Sequence, residues 1–228
     1  MRIKLVTYNI HAGVGMDGRF DPQRIVQVLQ ELNADVLALQ EVEHHRVGNR
    51  DLLNYLAAET GSNAIADPTL LRETRHYGNA LLTKLPILTV ERIDLSVPGR
   101  EPRGALHVTL DWYGKRVQVV ATHLGLKPRE RRQQIRQLIP LFEPECADIS
   151  VLMGDLNEWF LWGRLLRWLH AHFKPTPARA TYPARWPLIA LDRLWVRPHN
   201  QLARLEVHTS ILARWASDHL PLKSTIEI

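Results

Sequence analysis

Apolar and polar positions alternate with two different periods along this chain, and the changes of period mark its elements. Residues 3–8 predict a buried strand. Asp21-Pro22 then supplies a helix cap followed by proline at the first helical position, and Ile25, Val26, Leu29 and Leu32 follow at helical spacing. Val36-Leu37-Ala38-Leu39, bounded by Asp35 and Gln40, predicts a strand buried on both faces. From Ala80 to Val120 the pattern shifts to short β-rich runs at about 80–84, 87–95, 104–111 and 116–122, separated by Pro86, Pro98-Gly99 and Tyr113-Gly114 and expected to be antiparallel neighbours. Ile135, Leu138, Ile139 and Phe142 predict a second helix, and 149–153 another strand. A third helix is expected over about 158–170, with Leu161, Trp162, Leu165, Leu166 and Leu169 as its apolar stripe. Strand-like runs at 191–197, 202–209 and 222–227 close the chain. Strands with helices at intervals in both halves predict stacked sheets flanked by helices, an α/β architecture. With no repeat, low-complexity tract or charged linker, residues 1–228 are expected to form one domain.

A chain of 228 residues can bury most of its apolar surface without a covalent staple. The lone Cys146 cannot form an internal disulfide, and a single thiol suits a reducing compartment, so the expected location is cytoplasmic. The N-terminus alternates charged and apolar residues, unlike a signal peptide, and no stretch is long enough to span a bilayer. The formal net charge of +5 favours anionic partners: nucleic acid, phospholipid headgroups or phosphorylated small molecules. The basic residues are scattered, apart from the dense stretch Arg129-Glu130-Arg131-Arg132.

Polar residues cluster where the expected strands end. Asn9 and His11 follow 3–8, Glu41 follows 36–39, His123 follows 116–122, Asp155 and Asn157 follow 149–153, and Asp218-His219 precede the final strand. Loops held by a rigid scaffold are where sites usually lie. A carboxylate such as Glu41, with oxygen donors from Asn9 and Asp218, suits magnesium. Such an ion polarises a phosphoryl oxygen and offsets charge on a leaving group. Asp155, helped by Asn157, is suited to orient or deprotonate an attacking water, and His219, its ring held by Asp192, to donate to a phosphate. Each residue alone has a plainer explanation: a turn asparagine, a surface carboxylate, a buried histidine at 123, or a helix cap at 155–157.

In order along the chain, Thr7-Tyr8-Asn9-Ile10-His11, Leu39-Gln40-Glu41-Val42, Tyr77-Gly78-Asn79-Ala80-Leu81-Leu82-Thr83-Lys84, Thr122-His123-Leu124, Gly154-Asp155-Leu156-Asn157, Leu191-Asp192-Arg193 and Ser217-Asp218-His219-Leu220-Pro221 resemble the successive motifs of the endonuclease/exonuclease/phosphatase superfamily. The resemblance runs from residue 3 to residue 228 and implies a four-layer α/β/β/α sandwich with two stacked mixed sheets. It also implies a magnesium-dependent hydrolase of phosphoester bonds, with manganese a possible substitute. By position, Asn9 and Glu41 match the metal residues, with Asp218 a further ligand. Asp155 and Asn157 match the pair that positions water, His219 the phosphate-binding histidine, Asp192 its carboxylate partner, and His123 the second histidine. Arg103 lies where a phosphate-contacting arginine is expected, with Arg100 competing for that place, and Asn79 is a candidate on the substrate side. The histidine at 11 departs from the apurinic-site endonucleases, which resemble the chain at Asn9 but carry Asp there. With the 13–18 loop it looks more like a bacterial branch whose members mostly have no assigned substrate. The chain is also short of the large inserted loops of some relatives.

Three functions are therefore compared. A nuclease or related phosphodiesterase would use the arginines at 129, 131, 132, 136, 164 and 167 against a phosphate backbone. A phospholipid or inositol-phosphate-type phosphoesterase is suggested by Trp159-Phe160-Leu161-Trp162-Gly163-Arg164-Leu165-Leu166-Arg167-Trp168, which mixes aromatic, aliphatic and basic residues as interfacial helices do. Exposure of Trp159 or Trp168 beside the cleft would favour that second function, with peripheral membrane contact. A non-catalytic phosphate-binding module would have lost a motif carboxylate or histidine, and none is missing. No obligate protein partner is implied.

Overall fold

The computed structural model describes residues 1–43, 45–71, 76–143 and 147–227; Cys146 lies outside them. The chain runs β1 (Arg2–Asn9), α1 (Pro22–Leu32), β2 (Val36–Glu43), a short ribbon of β3 (Arg46–Val47) and β4 (Arg50–Asp51), then α2 (Leu52–Thr60), β5 (Asn63–Leu71), β6 (His76–Thr83) and β7 (Ile87–Asp94). It continues β8 (Gly104–Trp112), β9 (Lys115–His123), α3 (Pro128–Leu138), β10 (Ile149–Asp155), α4 (Arg164–His172), β11 (Asp192–Arg197), β12 (Leu202–Val207), α5 (Ala213–Ala216) and β13 (Leu222–Glu227). One sheet has the order β12-β13-β1-β2-β6-β5, the other β11-β10-β9-β8-β7. Both are mixed: β1 runs parallel to β2 and β9 parallel to β10, and the remaining pairs in these sheets are antiparallel.

Burial separates the layers. Ile3, Leu5, Val36, Ala38 and Leu81 of the first sheet meet Val108, Val119, Val151, Met153 and Val196 of the second in one core. Val6, Tyr8, Leu37 and Leu39 face the other way, against Ile25, Leu29 and Leu56 of α1 and α2. Val120, Leu152 and Trp195 pack likewise under Ile135, Leu138, Leu165 and Leu169 of α3 and α4. This is the expected α/β/β/α sandwich. A fully buried Leu or Ile contributes about 1.5–3 kcal/mol, so these three faces supply most of the folding drive. The strand buried on both faces at Val36–Leu39 follows directly from its place between helix and second sheet. The Asp21 side chain accepts from the Arg24 backbone amide at 3.3 Å, with Pro22 opening α1 as its sequence demands.

Several expectations are corrected. The 80–84 run belongs to β6, which pairs with β2 and β5 in the first sheet, whereas 87–122 forms the antiparallel meander of the second. β2 does not end at Leu39; it continues to Glu43 through a bulge between Leu39 and Val42. α3 carries Ile135 and Leu138 of the expected second helix, but it ends at Leu138 and a 3-10 turn takes over at Ile139–Phe142. The helix expected over 158–170 starts at Arg164, because residues 158–163 form a loop that leaves Leu161 and Trp162 outside the core, 57% and 74% exposed. α2 and β5 had no clear periodic signal. Among the described residues, no helix is long and apolar enough to cross a membrane.

Candidate active site

Strand register gathers the candidate residues at one end of the two sheets. Asp155, the last residue of β10, pairs with His123 at the end of β9 and with Asp192 at the start of antiparallel β11. In the first sheet, Asn9 ends β1 opposite Gln40, next to Glu41 in the β2 bulge. β13 runs antiparallel to β1 with Leu222 opposite Thr7, so the 217–219 segment before it arrives at the same end. The Ser217 hydroxyl fastens that segment by donating to the Asn9 carbonyl at 2.7 Å.

Asp155 is the focus. Its Oδ2 accepts from Asn9 Nδ2 at 3.2 Å and lies 3.5 Å from His123 Nε2 and 3.7 Å from His219 Nε2. Its Oδ1 accepts from the Asn157 backbone amide at 2.9 Å. Asn157 sits at φ 51°, a left-handed conformation that asparagine tolerates, and its Nδ2 donates to the Leu124 carbonyl at 2.9 Å while lying 3.1 Å from His123 Nε2. Asp155 is 1% exposed and His123 and His219 are each 5% exposed, so these charges act at low effective dielectric.

The two histidines carry different charge. Burial alone would push His219 down, but the carboxylates of Asp192, Asp155 and Asp218 outweigh it and raise the ring to about 10, so it is a cation at neutral pH. Its Nδ1 lies 2.8 Å from Asp192 Oδ2, which also accepts from the Thr181 hydroxyl at 2.6 Å. Burial depresses His123 to about 3 despite Asp155 nearby, helped by the positive charges of Arg103 and His219. Arg103 Nη1 is 3.1 Å from His123 Nδ1 and Asn157 Nδ2 is 3.1 Å from its Nε2, so a donor faces each ring nitrogen and the neutral ring accepts at one of the two. Arg103 Nη2 is held by Glu101 at 3.1 Å.

The candidate metal residues are arranged less simply than expected. Asn9 Nδ2 donates to Glu41 Oε1 at 2.9 Å as well as to Asp155, and its Oδ1 accepts from the His11 amide at 3.0 Å, so Asn9 bridges two carboxylates with its amide nitrogen. Glu41 occupies the left-handed region at φ 57°, unusual for this residue and a form of strain found at functional sites. Its carboxylate meets neutral donors, Asn9 and the Tyr77 hydroxyl, and among the described residues it has no cationic side chain in an ion pair. A half-buried carboxylate in that setting fits a hard cation bound through oxygen. Asp218 lies apart from Glu41's bonds, with Oδ1 3.8 Å from His11 Nδ1. Asp155, Asp192 and His219 also present ligand atoms within 4.8 Å of one another. In that trio the His219 ring is already spent on the carboxylates, with Nδ1 2.8 Å from Asp192 Oδ2 and Nε2 3.7 Å from Asp155 Oδ2.

Asn79 is not bonded to this cluster. It lies between the sheets, donating to the Gly104 carbonyl at 3.0 Å and to Asp67 Oδ2 at 3.3 Å. Arg131, expected among the phosphate-contacting arginines, is 2% exposed and paired with Glu158 at 3.3 Å, so it is not available to a substrate. Sequence reasoning missed Tyr77, which meets Glu41 and whose hydroxyl burial pushes well above its usual range, and Thr181, which meets Asp192. It also missed Tyr182, whose ring lies 4.9 Å from that of His219. A lone Tyr or Thr carries no spacing signal.

The chain is 29% identical to the uncharacterized protein YbhP of Escherichia coli strain K12, over 99% of this chain and 96% of that one. A functionally unknown conserved protein from Enterococcus faecalis V583 superposes with a TM-score of 0.82 at 18% identity, covering 99% of this chain and 100% of that one. TDP2 of D. rerio, complexed with a single strand DNA product, superposes with a TM-score of 0.71 at 15% identity, covering 100% and 99%. The model of the Endonuclease/Exonuclease/phosphatase family matches residues 6–219, and the chain belongs to that family.

Proposed function

We propose that residues 1–228 form one catalytic domain that hydrolyses phosphodiesters with a divalent cation, magnesium or manganese. The observation that carries this is the convergence on Asp155 Oδ2 of Asn9, a neutral His123 and a cationic His219, beside the strained Glu41. Glu41 would hold the cation, with Asn9 and Tyr77 orienting its carboxylate and Asp218 the further ligand. The bound cation would polarise a phosphoryl oxygen and offset negative charge on the leaving group. Asp155, its Oδ1 fixed by Asn157, orients the attacking water and receives its proton. His219 donates from Nε2 to a phosphate oxygen while Asp192 keeps the ring protonated and aimed. His123 stays neutral, held between Arg103 and Asn157, and lines the phosphate site beside Asp155.

Nucleic acid is one source of such a diester, and the single strand DNA product in D. rerio TDP2 supports its place in the test. A second source, phospholipid or a phosphorylated headgroup, is favoured by a specific observation: Trp159, two residues after Asn157, is 54% exposed. The test is product release from bis-(p-nitrophenyl) phosphate, DNA, RNA, phospholipids and inositol phosphates, with magnesium, manganese or EDTA. Metal-dependent cleavage of at least one diester is expected, and Asp155→Ala or His219→Ala should lower its rate by about 10²–10⁴-fold. Near-normal turnover by either variant, or inactivity across every substrate, would sink the proposal.

A further inference from the structure

The loop that replaces the expected start of the third helix is built to hold apolar side chains in the open. Trp159, Phe160, Leu161 and Trp162 are 54%, 56%, 57% and 74% exposed. Beneath them the loop is fastened. Glu158 is buried, its Oε1 accepting from the Phe160 amide at 3.2 Å and its Oε2 from Arg131 at 3.3 Å. The Gly163 amide donates to the Phe160 carbonyl at 3.0 Å, and a Cβ at Gly163 would come within 2.7 Å of the Glu158 carboxyl carbon. The tip is therefore presented by a fixed base, at the cost of leaving large apolar groups in water.

Other large apolar side chains project from loops that leave the same strand ends. Leu126, three residues past His123, is 62% exposed; Trp186 and Leu188, on the turn closed by Tyr182 and Ile189 next to His219, are 72% and 80% exposed. Apolar groups concentrated around one mouth mark a contact surface. Directly after the Trp159–Trp162 tip, Arg164 joins Arg129, Arg132 and Arg136, with Gln133 and Gln137, to line a groove with no acidic side chain among the described residues.

We propose that the Trp159–Trp162 tip and this arginine groove dock the protein on the surface of a bilayer containing anionic lipid, with the active-site mouth toward the headgroups. Aromatic and aliphatic groups entering the interface beside arginines that meet anionic headgroups are the two attractions peripheral proteins combine. A nucleic acid fits this surface less well. Leu161, Leu126 and Leu188 offer no flat face for a base, and the Phe160 and Trp162 rings, 5.8 Å apart and inclined at 45°, leave no parallel stacking slot. Docking stands independently of the phosphodiester proposal; only the implied substrate class, a diester in a lipid headgroup, rests on it.

The experiment is sedimentation of the full chain in EDTA with vesicles of phosphatidylcholine alone or mixed with phosphatidylglycerol, which reads binding without turnover. The mixed vesicles should carry the protein down. A Phe160→Ser, Leu161→Ser, Trp162→Ser variant should lose at least about tenfold in partitioning, and in Arg132→Gln, Arg164→Gln each lost arginine should cost about fivefold at low salt. All these side chains lie on the surface, and unchanged melting temperatures check that the fold is intact. Protein that remains in the supernatant with mixed vesicles, or a serine variant that sediments like the parent, would overturn docking. So would tight single-stranded DNA binding that both variants weaken while vesicles bind nothing.

Discussion

His219 and His123 both face Asp155 Oδ2 and are held in different charge states, one cationic and one neutral, which gives the protein a particular stability profile with pH. His219 is raised from its ordinary 6.5 to about 10. Its stabilisation is complete below pH 6.5 and drains away as pH climbs toward 10, while the unfolded chain loses a proton the native state keeps. His123 is lowered from 6.5 to about 3, so it is neutral in both states at higher pH. As pH falls from 6.5 toward 3, the unfolded chain takes up a proton that the native ring refuses, and stability falls. Urea midpoints measured in EDTA should therefore peak near pH 6.5. His219→Gln should flatten the alkaline limb and His123→Gln soften the acid one; limbs unchanged by these substitutions would refute the assigned charges. The candidate residues stood out only as an ordered set of motifs, and their charge states were not legible at all. A histidine's protonation depends on which carboxylates and cations the fold sets around it; the motifs paired Asp192 with His219, but nothing near position 219 in sequence announces Asp155.

Among the elements, β10 is the strictest. Gly154 has φ 152°, and a Cβ there would lie 1.8 Å from the Thr122 carbonyl oxygen of the parallel neighbour β9. Neither backbone can move without shifting the Asp155–His123 pair beside it. Gly154→Ala should thus cost about 3 kcal/mol or more in a urea titration, and a variant within 1 kcal/mol of the parent would show that the strands approach less closely. α1 was readable because one face of it is apolar over several turns, and β2 because its apolar run is continuous, as burial on both faces requires. The boundary before α4 was not. Leu161 and Trp162 continue the helical spacing of Leu165 and Leu169, but Glu158 satisfies the Phe160 amide and turns the chain outward before the helix begins. β5 was missed because it is an edge strand whose side chains Asn63, Ala64, Ala66 and Pro68 are exposed and carry no alternating apolar signal.

At the scale of the molecule, the site is a seam between two sheets, and cation binding there should couple to the stability of the whole. A ligand present at 100 times its dissociation constant adds about 2.7 kcal/mol to a native state that alone binds it. For a chain of this size that is about 5–10 °C in melting temperature. Magnesium should raise the melting temperature of the parent protein, EDTA should remove the gain, and Glu41→Ala should show little of it. An equal shift in that variant would place the cation elsewhere. The sequence by itself determined the α/β alternation, the cap of α1, the polar residues at strand ends and the motif order that marks the family, because each is a local pattern of propensity, burial or spacing. Only the tertiary structure decided that β6 joins the first sheet, that Asn9 bridges Glu41 and Asp155, that Arg131 is spent on Glu158, and that Trp159–Trp162 face outward. These depend on strand register and on contacts between residues far apart in the chain, where a side chain's role is set by what the fold brings against it.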